Sequence, residues 1–250
     1  QDIQKNFTQL LNITKKLLAD IERLLKKNII LIIEDLDKID TSKAKEIFIE
    51  NYVIISEIPL TTIYTVPIFL MHTTEMSSLN GNVYNNILLP MIKTRTKKKY
   101  DDKYDEGINK IKELVSKRMS IDLFDKEEDL IYLIVKTGGV LRDLFKVIVN
   151  ASESAVYNER DKIHYNDIRY YLDNVKSSYY RALSGSSQRN ISPEDIIKKL
   201  KNLHETNTIK PMVIDQVILE ALRLQVLIEY NGDGWYGLHP LVIEHIEEMT

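Results

Sequence analysis

The sequence predicts an α/β segment with parallel strands, followed by an all-helical domain and then by a domain of helices and one β-hairpin. Three observations predict this order. Short apolar runs alternate with helical stretches up to residue 92, helical periodicity continues without strands from 105 to 181, and an Asn-Gly pair separates two apolar runs near the end. We place the domains at 1–103, 104–184 and 185–250.

Composition and charge exclude several classes of protein. Hydrophobic residues make up 44% of the chain and charged residues 28%, and the net charge is −3, which argues against broad affinity for nucleic acid. No apolar run reaches the roughly 20 residues that cross a bilayer, and no signal peptide begins the chain. Cysteine is absent, so disulfides, thiolate metal sites and cysteine nucleophiles are excluded. We therefore expect a cytoplasmic protein without a membrane partner.

The first domain is predicted from its apolar spacing. Apolar residues recur at helical intervals over 6–25, which predicts one long amphipathic helix. The run 29–33 has five apolar, β-favouring residues without alternation, as in a strand buried on both faces of a parallel sheet. Strand patterns recur at 61–66 and, more briefly, at 86–92. A helix is predicted over 43–52, with Thr41 or Ser42 as its cap.

The remaining two domains follow a basic, aperiodic segment. Residues 93–103 are polar and read as a solvated linker, although nucleic-acid contact, or an Arg95 directed to a neighbouring subunit's phosphate, is an alternative. Four helices are predicted beyond it, over 105–119, 126–137, 141–157 and 165–181, and a second linker over 184–188.

The last domain opens with Ser192, a good helix cap, and ends in a hairpin. Ser192 precedes Pro193 and an acid, which favours a helix start, and a further helix is predicted at 214–224. Two apolar runs flank the Asn231-Gly232 turn, the strongest short hairpin signal. Helices followed by such a hairpin within about sixty residues describe a winged helix-turn-helix.

Acidic residues follow the first strand directly. Glu34, Asp35 and Asp37 come after the run 29–33, and the carboxyl ends of parallel strands are where open α/β folds bind ligands. Such acids hold Mg²⁺ and polarise an attacking water in phosphoryl transfer. A solvated acidic loop is the structural alternative.

The order of motifs resembles that of bacterial P-loop ATPases of the AAA+/STAND group. The chain carries, in sequence, IILIIEDLDKID, TIYTVPIFLM, NILLPMIK, TGGVLRDLF and YGLHPLV. The resemblance extends from Ile29 to Ile246 and implies the C-terminal part of a P-loop NTPase core, a helical lid and a winged helix. It also implies ATP and Mg²⁺ as ligands and an ATPase activity in the complete protein.

The resemblance assigns roles residue by residue. Glu34 stands where the family has the Mg²⁺-organising Asp, and Asp35 or Asp37 stands at the catalytic acid, depending on whether the AAA+ or the STAND register applies. The Glu at the metal position departs from the family. Thr65 matches the polar sensor-1 residue at the end of the next strand.

Two further residues match nucleotide-sensing positions. Arg142, after Gly138-Gly139, resembles the sensor-2 arginine that reaches the γ-phosphate. His239 stands where STAND winged helices place a histidine that contacts the diphosphate of ADP, although Pro240 follows it here. An arginine on a helix surface and a structural histidine are the plain alternatives.

The phosphate-binding loop is missing from the sequence. No G-x-x-x-x-G-K-[ST] occurs among the 250 residues, and 28 residues before the first strand are too few for the upstream strands of such a core. We expect that the missing part lies upstream and that the chain alone is inactive.

Three functional classes remain open from the sequence. The first is a nucleotide-dependent switch that associates with a protein partner or with itself. By analogy with bacterial relatives, we place such a switch in a defence system. The second is a DNA-binding ATPase resembling replication initiators, which is not favoured because the second helix of the winged helix has Arg223 as its only cation. The third is a nucleotide-free assembly scaffold.

Overall fold

A computed structural model describes residues 2–58, 60–89, 91–97, 102–183, 191–206, 214–230 and 235–248. The chain divides into two compact units, Gln1–Ile87 and Leu88–Thr250, which we describe separately.

The first unit contains a pair of parallel strands. Helix α1 (Asp2–Leu25) precedes strand β1 (Ile30–Ile33), and strand β2 (Thr61–Tyr64) pairs with β1 in parallel, with Ile30 opposite Thr61 and Ile33 opposite Tyr64. The chain crosses between the strands through α2 (Thr41–Lys45), a π-helical turn and α3 (Tyr52–Ser56). Helix α4 (Thr74–Leu79) follows β2. The parallel pairing predicted from the sequence is confirmed.

One face of the strand pair is packed against aromatic and apolar side chains. Phe48 is buried in the crossover and contacts the ring of Tyr64 edge-on, with 5.8 Å between ring centroids. Tyr84 also packs on Phe48, and its hydroxyl donates to the Phe48 carbonyl at 3.0 Å. The core of this unit therefore lies on the crossover side of the sheet.

Three sequence predictions for this unit need correction. The first strand is not buried on both faces, because Ile30 and Ile32 are 57% and 59% exposed. The predicted third strand at 86–92 does not form in the described part of that range, where Met91 makes only an isolated bridge to Tyr230. The predicted helix at 43–52 is split by the π-helical turn, and Asp40 rather than Thr41 or Ser42 caps α2, accepting from the Lys43 N–H at 3.0 Å.

The second unit begins with four helices that form a bundle. They are α5 (Asp105–Ser116), α6 (Glu127–Lys136), α7 (Leu141–Tyr157) and α8 (Tyr165–Leu183), each close to its predicted range. Their periodic apolar faces meet in one core. Its buried members include Ile111, Leu130, Leu133, Leu144, Val147 and Ile168.

Residues 191–206, 214–230 and 235–248 form what we call the hairpin segment. It consists of α9 (Pro193–Glu205), α10 (Gln216–Arg223), antiparallel strands β3 (Leu227–Tyr230) and β4 (Trp235–Leu238), and α11 (Pro240–Glu248). Ser192 caps α9 as predicted, accepting from the Asp195 N–H at 3.1 Å. The predicted Asn231-Gly232 turn and the linker at 184–188 lie outside the described residues.

The predicted solvated linker is partly buried. Thr94 and Arg95 are 1% and 4% exposed, and the Arg95 guanidinium lies over the Trp235 ring, 5.0 Å from its centroid. A side chain at Gly237 would meet the guanidinium at 2.2 Å, so the glycine makes room for it. Arg95 is thus part of the second unit's core.

Among the described residues, no helix combines the length and the apolar character that crossing a membrane requires.

Candidate functional site

The acidic cluster and Thr65 meet at the carboxyl ends of the two parallel strands. The Thr65 N–H donates to the Ile33 carbonyl at 3.1 Å, which extends the strand pairing by one step. The Thr65 hydroxyl accepts from the Leu36 N–H at 3.1 Å, so this side chain lies directly against the backbone of the acidic cluster. The structure therefore brings Glu34, Asp35 and Thr65 to one edge of the sheet.

Asp35 has an unusual backbone conformation. Its φ of 67° and ψ of 4° lie in the left-handed region, where Asp is among the few non-glycine residues that occur regularly. The residue lies two positions after the end of β1 and directly precedes the short 3₁₀ turn Leu36–Lys38, which contains Asp37. The Asp35 carboxylate pairs with Lys38 on the exposed surface. Such an exposed pair contributes little stability. The side chains of Asp35 and Asp37 both lie at the surface.

The acids fit only part of a magnesium site. Among the described residues, no three His, Asp or Glu side chains are grouped so as to hold a metal ion. Mg²⁺ in nucleotide sites, however, takes one or two carboxylates and completes its shell with phosphate oxygens and water. Glu34 together with Asp35 or Asp37 satisfies that lower requirement.

The Gly138-Gly139 step is fixed by close packing in the second unit. Both residues have positive φ angles, 61° and 86°. A side chain at Gly139 would lie 2.1 Å from the Ile92 carbonyl oxygen, and one at Gly138 would lie 2.6 Å from Cδ of Pro240. The Gly138 carbonyl also accepts from the Tyr230 hydroxyl at 2.9 Å. The step therefore joins the bundle to the hairpin segment, and α7 begins immediately after it.

Arg142 and Asp143 occupy the first turn of α7. Arg142 is exposed, as a phosphate-sensing residue requires. The Asp143 side chain is only 13% exposed and faces the hairpin segment, where it meets His239. An acid in the first turn is also favoured by the positive end of the helix.

His239 is fully buried and caps α11. Its carbonyl accepts from the Val242 N–H at 2.9 Å, and its Nδ1 accepts from the Leu241 N–H at 3.2 Å. Because Nδ1 is the acceptor, the ring proton belongs on Nε2. Nε2 lies 3.4 Å from Oδ2 of Asp143, which is ion-pair distance, but the two atoms do not form a well-aligned hydrogen bond.

Tyr179 completes this buried group, which we call the Asp143 cluster (Asp143, Tyr179 and His239). The Tyr179 hydroxyl donates to Oδ2 of Asp143 at 2.6 Å, and its ring centroid lies 4.4 Å from that of His239. Burial raises the pKa of Asp143, but the nearby His239 and the hydrogen bond from Tyr179 outweigh it, and the pKa is below its ordinary value. Burial and the Asp143 charge both raise the pKa of Tyr179.

Sequence reasoning missed Asp143 and Tyr179. The only signal for Asp143 was its position next to Arg142, and nothing in the helical pattern around Tyr179 distinguishes it from other tyrosines of α8. The predicted site residues of the first unit are Glu34, Asp35, Asp37 and Thr65, and those of the second unit are Arg142 and His239. Asp143 directly follows Arg142 in the sequence and lies beside His239.

Comparisons with protein-family models, with curated proteins and with solved structures give no match to this chain. The function proposed below therefore rests on the residues just described.

Proposed function

We propose that the chain is the nucleotide-sensing part of an ATP-dependent switch of the AAA+/STAND type. The observation that carries the proposal is the contact of Thr65 with the backbone of the acidic cluster, at the carboxyl ends of two parallel strands. Ligands of open α/β folds bind at this edge. A hydroxyl held against the backbone of a segment that carries three acids suits a magnesium–phosphate group.

In this proposal each acid has a distinct task. Mg²⁺, when bound, would neutralise charge on the phosphates, and Glu34 would help to hold it. Asp35 or Asp37 would orient and polarise the attacking water, and Thr65 would hydrogen-bond the γ-phosphate or that water. Asp35 has a left-handed backbone, whereas Asp37 lies in the 3₁₀ turn, so the two acids are not equivalent.

The second unit would read the nucleotide state. Arg142 would bind the γ-phosphate, because an exposed guanidinium at a helix start forms strong, bidentate contacts with phosphate. His239 would bind the diphosphate of ADP in a state in which it has left Asp143. In this way the winged helix, our interpretation of the hairpin segment, would change position with the nucleotide.

Direct DNA recognition is disfavoured by the chemistry of α10. Its only cation, Arg223, is held by Glu220, with Nε and Nη2 each 2.8 Å from a carboxylate oxygen. Most of α10 is also buried, including Ile218, Leu219 and Leu222. A recognition helix normally exposes several basic side chains to the groove.

The proposal is tested by amide substitutions at the two acids in the native protein that contains this chain. We expect Asp35→Asn to abolish phosphate release from ATP and to leave ATP bound, because a water-polarising carboxylate acts mainly in the transition state. A loss of about 100-fold or more is expected. Normal hydrolysis by Asp35→Asn together with loss in Asp37→Asn would assign the catalytic role to Asp37.

Glu57→Gln is the matched control, since Glu57 is an exposed acid of the same unit that precedes β2 and does not follow the carboxyl end of either strand. It should hydrolyse ATP at the parent rate. Full activity in both Asp variants, or no nucleotide binding by the native protein, would refute the proposed function.

A further inference from the structure

The Asp143 cluster joins three parts of the second unit that are distant in sequence. Asp143 lies in the first turn of α7, Tyr179 near the end of α8, and His239 directly before α11. We propose that the cluster is a latch: Asp143 and Tyr179 are positioning residues that hold His239, and thereby the hairpin segment, in one orientation on the bundle. Its link to nucleotide rests on the proposed function above.

The cluster places one carboxylate beside a phenol and an imidazole. A lowered pKa favours the ionised form of Asp143, a raised pKa favours the neutral form of Tyr179, and Nδ1 of His239 accepts from the Leu241 N–H. The Tyr179 hydroxyl donates to Oδ2 of Asp143 at 2.6 Å, and Nε2 of His239 lies 3.4 Å from the same oxygen. A buried carboxylate that loses one donor is left unsatisfied, so the three contacts should form and break together. This cooperativity is what a two-state element requires.

Closure of the cluster prevents His239 from binding anything else. Nδ1 accepts from the Leu241 N–H, Nε2 faces the Asp143 carboxylate at 3.4 Å, and none of the residue is exposed. A ligand can therefore reach the imidazole only after the contact with Asp143 has opened. Because Arg142 directly precedes Asp143, a ligand that moves Arg142 also moves the carboxylate. Arg142 and Lys146 are the nearby cations, and their charges act on Tyr179 and Asp143 respectively.

Other contacts keep α11 attached to the bundle independently of the cluster. Glu244 pairs with Lys136 of α6 and, at 3.5 Å, with Lys176 of α8. The His245 ring stacks on Tyr180 with 3.7 Å between centroids. These contacts lie one to two helical turns beyond His239. Opening of the cluster should thus change the orientation of the hairpin segment without releasing it.

Hydrogen exchange of the full chain without nucleotide tests the latch. We expect Asp143→Asn, Tyr179→Phe and His239→Gln each to raise amide exchange in β3, β4 and α11 about tenfold or more. The double variant Asp143→Asn/His239→Gln should exchange no faster than the more affected single variant, because the contacts act as one unit. Unchanged exchange in the single variants, or effects that multiply in the double variant, would overturn the proposal.

Asp167→Asn provides the matched control. Asp167 is a buried carboxylate in α8. Unlike those of Asp143, its partners lie within the bundle, namely Arg160, Ser154 and the His164 N–H. This variant should raise exchange in α7 and α8 and leave β3 and β4 near the parent rate. An equal rise in β3 and β4 would mean that the Asp143 variants report general destabilisation, which would also overturn the latch.

The tautomer of His239 supplies a test that needs no substitution. Nitrogen-15 NMR of the parent chain should find this ring protonated on Nε2 and unprotonated on Nδ1. A ring protonated on Nδ1 would contradict the cluster even if every variant failed to fold. Since neither experiment uses nucleotide, an absence of ATP binding would refute the proposed function and leave the latch standing.

Discussion

At the scale of single residues, two glycines are required for different physical reasons. Gly81 has a φ of 79°, but a side chain there would meet nothing within 4 Å. Gly139 has a φ of 86°, and a side chain there would collide with the Ile92 carbonyl. Gly81 is therefore required only by its backbone conformation, whereas Gly139 is required by conformation and by packing.

The same substitution should consequently have very different costs at the two positions. We expect Gly139→Ala to lower the free energy of unfolding by more than about 3 kcal/mol, because a backbone carbonyl cannot move aside as a flexible side chain does. Gly81→Ala should cost about 1 kcal/mol, which is the strain of a left-handed alanine. Urea denaturation followed by circular dichroism measures both, and equal losses would contradict this account.

At the scale of elements, α7 and α8 are joined by a charged group within the bundle. Two guanidinium nitrogens of Arg160 donate to Asp167 at 2.7 Å, and Ser154 of α7 adds a third hydrogen bond at 2.9 Å. Arg160 contributes most to lowering the pKa of Asp167, which falls from 3.8 to about 2. The chain between α7 and α8 is thus fixed by one carboxylate.

This pKa predicts an acid-dependent stability for the bundle. The folded pKa lies below the unfolded one, so the contribution of Asp167 is complete above pH 3.8 and disappears as the pH falls to about 2. Thermal unfolding between pH 5 and pH 2 should show this loss in the parent chain, whereas in Asp167→Asn the change with pH should be smaller. The two chains should therefore differ most at about pH 5. Parallel pH profiles would show that Asp167 is not ionised differently in the two states.

At the scale of the whole molecule, the chain should not bind ATP usefully by itself. A phosphate-binding loop contributes most of the triphosphate contacts through its N–H groups and lysine, and no such motif occurs in the 250 residues. Calorimetric titration with ATP and Mg²⁺ should therefore give no micromolar binding. Micromolar affinity would contradict this expectation and would mean that other residues of the chain contact the phosphates.

In the native protein that contains the chain, Arg142 should couple nucleotide state to shape. Arg142→Ala is expected to remove the difference between the ATP-bound and ADP-bound forms in small-angle scattering, because a ligand shifts an equilibrium only through contacts that differ between states. Arg181→Ala, which alters an exposed arginine near the end of α8, is the control and should keep the difference. An Arg142→Ala protein that still responds like the parent would reduce Arg142 to a surface residue.

Local sequence patterns predicted the positions of the helices and strands better than they predicted how buried those elements are. Helices α5 to α8 were found from apolar periodicity, and β3 and β4 from their flanking apolar runs, because these signals lie within ten to twenty residues. The prediction that β1 is buried on both faces was wrong. Burial of the second face depends on a covering layer, which the apolar run 29–33 itself does not encode. Ile30 and Ile32 are exposed here, although their apolar character alone predicts a core position.

The candidate site was predictable only where its residues follow an element directly. Glu34, Asp35 and Thr65 come at strand ends, and their meeting follows from parallel pairing. Asp143 and His239, by contrast, are about a hundred residues apart, and no spacing rule connects a first-turn acid to a helix-capping histidine. Their contact arises from how the bundle and the hairpin segment pack.

The intrinsic fluorescence of Trp235 reports on the packing of the hairpin segment. This residue is the only tryptophan of the chain, it has no exposed surface, and it stacks on Tyr230 beneath the Arg95 guanidinium. All intrinsic indole fluorescence therefore originates in the hairpin segment, at the point where the segment around Arg95 packs on it. Emission at short wavelength should mark the packed form, and a shift to the red should mark its loosening, without any attached dye. Rearrangements of this segment can thus be timed by rapid mixing in the unmodified chain.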